Sequence, residues 1–387
     1  KRSNFMSATV LLAVVFVLSL TLVTWLLNQL PQRMIGGFDA SHRHSPLDGI
    51  RGILALSVFT HHFFKNYFFQ TTGLWQSPNI DFFTNLGSVP VSLFFLITGY
   101  LFFGKLKQPR MNWQYLYRSR LQRIVPLYLF LGICIVAIYF TQQHPPLPLS
   151  EWQQWTLRWL SFNNQSLKDF YAWPLVAGAA WTLLYEWGFY FSLPLLFLLV
   201  HPKQLSHWQN ITMLMISLPV LYYVFTHTII KLYWLFLLAF FAVWLEDFFK
   251  NLLAKFPTLI SIALCLLTLF ILFATSAYSY WQMLLCGLLF CFIANGFTYF
   301  GVLYQQGLKV LGELSYSLYL THGLIMYVWF NLLHLYDFSQ SMTAYVWTYP
   351  LVLVLVVMFA VISYNYIEKP LMHRPNSRRD ATTVLQS

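Results

Sequence analysis

The chain has 387 residues, of which 58% are hydrophobic, 20% aromatic and only 9% charged, with a formal net charge of +11. A soluble domain carries about a quarter charged residues, so this composition, with its repeated apolar runs of about 18 to 25 residues, excludes an ordinary soluble enzyme and predicts an all-α, polytopic membrane protein. The basic excess reads as a topology signal, and nothing in its placement points to nucleic acid.

Apolar run length and period predict about eleven spans, near 5–27, 47–66, 87–106, 124–141, 173–200, 210–229, 231–249, 257–276, 281–300, 309–333 and 346–367. Of the 23 Lys and Arg residues, all but Lys1, Arg2, Lys65, Arg158, Lys168 and Lys231 then fall on the side of the first connector. The positive-inside rule makes that side cytoplasmic. The first span is too long for a secretory signal and lacks a small-residue cleavage site, so it is expected to stay as a mature helix. The chain divides into an N-terminal helix and cytoplasmic connector (1–44), a membrane domain (45–372) and a basic tail (373–387). The connector carries His42, Arg43 and His44 without metal-ligand spacing. All four cysteines fall inside apolar runs and read as small hydrophobes, with neither a disulfide frame nor a metal site implied.

The second span, LDGIRGILALSVFTHHFF from Leu47, is the one to watch. Asp48 and Arg51 open it, and His61 and His62 follow about three turns later. Eleven residues at about 100° and 1.5 Å each bring Arg51 and His62 onto one face, roughly 16 Å apart in depth. Ionisable groups in a bilayer helix are costly and face a protein interior or a wet cavity. The geometric expectation is that both side chains border a common tunnel.

The third span, with SLFFLITGYLFF, places Gly99 where helices approach closely. Lys105, Lys107, Arg110, Arg118, Arg120 and Arg123 follow as a basic cluster, suited equally to acidic lipid headgroups and to a phosphate-bearing cytoplasmic ligand. The outer connector contains SEWQQWTLRWL, in which Trp152, Trp155 and Trp159 recur at helical spacing behind Ser150 as expected N-cap. It reads as an amphipathic helix in the membrane interface, its Glu151 and Arg158, with Lys168 and Asp169 beyond, being possible contacts to an extracytoplasmic substrate. In the fifth span, WTLLYEWGFY holds Glu186, a carboxylate that hydrocarbon does not tolerate alone; orienting His62 or balancing Arg51 is its expected work. The tenth span, LGELSYSLYLTHG, is polar for its depth and sets His322 near the middle. YIEKP closes the last span, with Glu368 expected to pair with a basic loop residue.

Six segments, LDGIRGILALSVFTHH, SLFFLITGYL, RSRLQRIVPLY, WTLLYEWGFY, LGELSYSLYLTHG and YIEKP, come in this order over about residues 45 to 372. Together they resemble the acyltransferase-3 family of integral membrane O-acyltransferases, which includes enzymes that acetylate lipopolysaccharide O-antigen, capsule and other envelope glycans. The resemblance implies a ten-helix core, here preceded by one further helix, in a multi-pass protein of the bacterial inner membrane. It also implies acetyl-CoA or another acyl-CoA as donor, an extracytoplasmic saccharide or glycolipid hydroxyl as acceptor, and no metal. The family's Arg and His with ten residues between them fall on Arg51 and His62, its tryptophan-to-glutamate motif on Trp181 and Glu186, and its later histidine on His322. Trp187 and Gly188 replace the polar residues usual after the glutamate, and Thr98 stands where serine is usual.

Joined to the residue chemistry, this places CoA phosphates on Arg51, Arg120, Arg123 and Lys105. His62 is general base or transient acyl carrier, Glu186 sets its tautomer, and His322 or Tyr319 stabilises the oxyanion or holds the acceptor. Asp48, Tyr319 and Trp181 are expected to touch substrate. The alternative is a proton-coupled transporter or flippase using the same buried charges, although neither inverted repeats nor matched broken helices are evident.

Overall fold

The computed structural model describes residues 2–29, 45–76, 80–142, 145–162, 166–167, 170–203 and 207–372. The connector with His42, Arg43 and His44, the outer residues Lys168 and Asp169, and the tail from 373 lie outside them. The described residues are helical nearly throughout and contain no strand. In chain order the helices are α1 (Arg2–Gln29), α2 (Pro46–Thr72), α3 (Asp81–Leu106), α4 (Trp113–Thr141), α5 (Leu149–Leu160), α6 (Trp181–Val200), α7 (Trp208–His227), α8 (Tyr233–Trp244), α9 (Glu246–Lys255), α10 (Pro257–Ala274), α11 (Tyr280–Ala294), α12 (Gln306–Glu313), α13 (Ser315–Tyr327), α14 (Met342–Val346) and α15 (Tyr349–Ser363). This is a polytopic all-α membrane protein.

Six described helices are long and apolar enough to cross a bilayer, and a seventh crossing results if the bent pair α8–α9 counts as one. About eleven were expected from the sequence. The difference has a physical source: α2 carries charges and histidines, α12–α13 is polar and interrupted at Leu314, and α11 is short. The expected span 231–249 breaks by 67° just before Glu246, whose charge and that of Asp247 cannot continue into hydrocarbon. The expected span 173–200 does not start as an α-helix either. Trp173–Val176 is a single 3₁₀ turn, Ala177 and Gly178 are left-handed with φ of 47° and 64°, and α6 begins only at Trp181.

α2 is the axis of the bundle. Ser45 caps it by accepting from the Leu47 amide (3.2 Å), Pro46 occupies its first turn, and Gly73, with φ of 73°, ends it. Gly49 and Gly52 bring its backbone against the α12 region so closely that a side chain at the facing Gly312 would overlap the Asp48 carbonyl. Helices in lipid have no hydrophobic drive to associate, so close packing at small residues does this work. α3 lies on another side of α2. It is pinned to the α10–α11 corner by Asn85, Ser88 and Gln282, whose side chains bond one another inside the protein.

α5 starts at Leu149 behind Pro148, so Ser150 is not its cap. Trp155 and Trp159 turn inward, Trp159 stacking on Tyr128 at 4.3 Å, while Leu149, Leu157 and Leu160 stay exposed.

Candidate functional site

α2 runs past two cavities. The inner one, nearer the basic side, has a volume of about 460 Å³ and is lined by Asp48 and Arg51 of α2, Arg120 and Arg123 of α4, and Glu186 and Tyr190 of α6. The outer one, about 220 Å³, is lined by His61, His62 and Lys65 of α2 and by Trp75, Trp173 and Trp181. Arg51 and His62 thus both face cavities, as their shared helical face requires. Val91 and Tyr319 belong to the lining of both cavities, which meet there. The Tyr319 hydroxyl is committed at that junction: it donates to the Ala179 carbonyl (3.0 Å) and shares a 3.0 Å bond with Thr182 Oγ1.

In the outer cavity, His62 Nδ1 and His322 Nε2 lie 2.8 Å apart, the rings nearly parallel with centroids 5.0 Å apart. His322 Nδ1 lies 3.0 Å from the Leu318 carbonyl oxygen. A carbonyl only accepts, so His322 Nδ1 carries its proton, and the neutral ring offers Nε2 as acceptor. His62 Nδ1 then donates to it, and Nε2 of His62 is left with the lone pair. His322 is fully buried behind His62 and outside the residues lining either cavity. His61 is separately anchored, donating from Nδ1 to the Phe83 carbonyl at 2.7 Å. The loop around Ala177 packs directly against α13 beside His322, because Gly323 has no side chain to hold it off.

Several sequence expectations change place. Glu186 does not meet His62: it accepts from the Tyr190 hydroxyl at 2.9 Å and lies among Arg120, Arg123 and Arg51, so the tautomer-setting contact belongs to His322. His322 in turn is placed behind His62 and outside both cavity linings, and the Tyr319 hydroxyl is occupied by Ala179 and Thr182. Lys105 lies over the Phe102 ring at 5.1 Å and is not among the cavity residues. Arg120 approaches the same ring at 5.6 Å, and its buried Nε has no partner among the described residues. Arg123 is surrounded electrostatically by Glu313 and Glu368. Glu368 accepts from Ser317, so its neighbours are a helix hydroxyl and a helix arginine instead of a loop cation. Asp48 lines the inner cavity and Trp181 the outer one.

Sequence reading passed over Trp75, Trp173 and Tyr278, all on connectors yet all lining the outer cavity. Lys65, taken only as an outer-side charge, lies over Trp75 at 5.6 Å. The one available signal was Lys65 itself, three residues beyond His62 and so on the same helical face. Among the described residues no group of His, Cys, Asp and Glu is arranged to hold a metal ion.

Comparison with known proteins places this architecture. The Acyl_transf_3 family, an acyltransferase domain, matches residues 45–365, and the chain belongs to that family. It is 28% identical over 158 residues to acyltransferase MdmB of Streptomyces mycarofaciens, a match covering 40% of this chain and 39% of that protein. No solved structure matches.

Proposed function

From membership of this acyltransferase family we propose that the protein moves an acyl group, acetyl in the first instance, from cytoplasmic acyl-CoA to a saccharide hydroxyl on the outer face of a bacterial inner membrane. The observation that carries this reading is the pairing of unlike cavities along one helix: arginines at the basic end of α2, and a hydrogen-bonded histidine pair further along it. Arg51, Arg120 and Arg123 suit phosphate oxygens, and Arg120 Nε, without a partner among the described residues, is a donor still to be used. The inner cavity is of ordinary ligand-site size, roughly 300–1,000 Å³ for such sites.

His62 Nε2 takes the proton from the acceptor hydroxyl as its oxygen attacks the thioester carbonyl. The C–S bond then breaks, and the departing sulfur receives that proton. His322 holds the His62 ring and its tautomer. The thioester reaches His62 by way of Val91 and Tyr319, where the two cavities meet. Because the acceptor is activated directly, both substrates are bound together.

The test is incubation of the purified chain in lipid nanodiscs with radiolabelled acetyl-CoA and envelope glycolipid. Base-labile label on the glycolipid, equimolar CoA thiol release and intersecting initial-rate lines are expected. Parallel lines would replace direct transfer by an acyl-histidine route. Movement of glycolipid across vesicles without ester formation would favour a flippase and overturn the proposal.

A further inference from the structure

Tyr278 sits at the corner between α10 and α11, in the outer cavity with His62. Its backbone is left-handed, with φ of 54°, a conformation uncommon for a bulky residue and maintained only where the surroundings impose it. Here they do. The Tyr278 amide donates to Gln282 Oε1 at 2.8 Å, and Gln282 Nε2 donates to Asn85 Oδ1 (2.7 Å) and to Thr275 Oγ1 (2.9 Å). Ser88 closes the set by hydroxyl bonds of 3.1 Å, and Asn85 reaches back to the Thr275 carbonyl at 2.6 Å. Gln282 and Asn85 are fully buried. The Trp181 ring braces the phenol edge-on at 6.3 Å.

This support holds a hydroxyl that no described residue uses. Among the hydroxyl-bearing residues lining the outer cavity, Tyr319 bonds Ala179 and Thr182, Ser88 bonds Asn85 and Gln282, and Thr84 bonds the Ile80 carbonyl. The Tyr278 phenol has no hydrogen-bond partner among the described residues. It also lies in the electrostatic vicinity of Tyr319, which lines both cavities.

We propose that the Tyr278 hydroxyl is the hydrogen-bond donor to the thioester carbonyl oxygen as negative charge develops there. The inference rests on the acyl-transfer reading above and assigns that reaction's missing oxyanion contact. The acceptor oxygen bonds to the carbonyl carbon while its proton passes to His62 Nε2, and the C=O electron pair moves onto the oxygen held by Tyr278. When C=O re-forms, C–S breaks and the sulfur takes the proton from His62; Tyr278 keeps its own proton throughout. A rigidly held donor is worth most where charge appears only in the transition state.

Tyr278→Phe in the nanodisc assay with acetyl-CoA and envelope glycolipid is expected to lower kcat about 10²-fold, the scale of one lost oxyanion donor. Both KM values and the pH profile should stay as in the unchanged protein. Fluorotyrosines placed at 278 make a second series that preserves shape, and kcat should rise with phenol acidity. A kcat within threefold of the parent in Tyr278→Phe, or a loss confined to the acceptor KM, overturns the proposal; so does a rate indifferent to fluorination. His62→Ala run in parallel separates the two levels. If it is inactive while Tyr278→Phe is fully active, only the oxyanion assignment falls. If His62→Ala turns over normally, or the parent chain forms no ester, the transfer reading itself is lost and this assignment with it.

Discussion

The inner cavity gathers Asp48, Arg51, Arg120, Arg123 and Glu186, whereas the outer one sets His61, His62 and Lys65 among Trp75, Trp173 and Trp181, with no carboxylate among its described lining residues. The difference is one of chemistry demanded at each depth. Charged groups near the membrane face remain hydratable and can bind an anion by direct contact. Deeper or walled positions tolerate polar groups only when these are bonded, and the histidines comply through one another and through backbone carbonyls. One helix can therefore carry a binding function at one end and a proton-transfer function at the other.

That division can be broken in three places. His62→Ala should have the largest effect, lowering kcat by about 10²–10⁴-fold, the range supplied by a positioned general base. Acetyl-CoA affinity, measured by titration calorimetry, should be unchanged, and an equal fall in affinity would mean that the two cavities do not divide the work. His322→Phe comes next, at roughly 10–10²-fold in kcat, because His62 loses the acceptor that fixes its tautomer. His322→Gln should recover part of this, since an amide oxygen can accept from His62 Nδ1; equal activity of the Phe and Gln variants would show that orientation is not the role. Arg51→Ala should act at the other end, raising the KM for acetyl-CoA about tenfold with kcat within a few-fold. Removing a hydrogen bond to a charged group costs about 1.5–3 kcal/mol, and about 1.4 kcal/mol is tenfold in affinity. Its KM should also rise less steeply with salt than that of the parent.

Much of this was readable in one dimension. Run lengths gave the helical class, and the spacing of Arg51 and His62 on α2 gave two cavity-facing groups, because helical angle and rise are fixed per residue. Of the two partners expected for Glu186, the structure places Arg51 beside it and His62 elsewhere, because a polar residue in an apolar helix announces only that it needs a partner. Its hydrogen bond goes to Tyr190, four residues along the same helix. Trp173 reads as part of a span because Pro174 and Gly178 sit in an otherwise apolar run. The turn they form became apparent only with Gly323 packed beneath it.

The sequence by itself determined that this chain lives in a membrane as helices, which face of α2 holds ionisable groups, and which family it resembles, since these follow from local periodicity and ordered motifs. Only the tertiary structure decided that His322 stands behind His62, that Glu186 stays with the arginines, and that Tyr319 lines both cavities. Those outcomes depend on residues from α2, α6 and α13 meeting within hydrogen-bond reach, and the separations of 260 residues for His62–His322 and 137 for Thr182–Tyr319 carry no periodic trace in the chain.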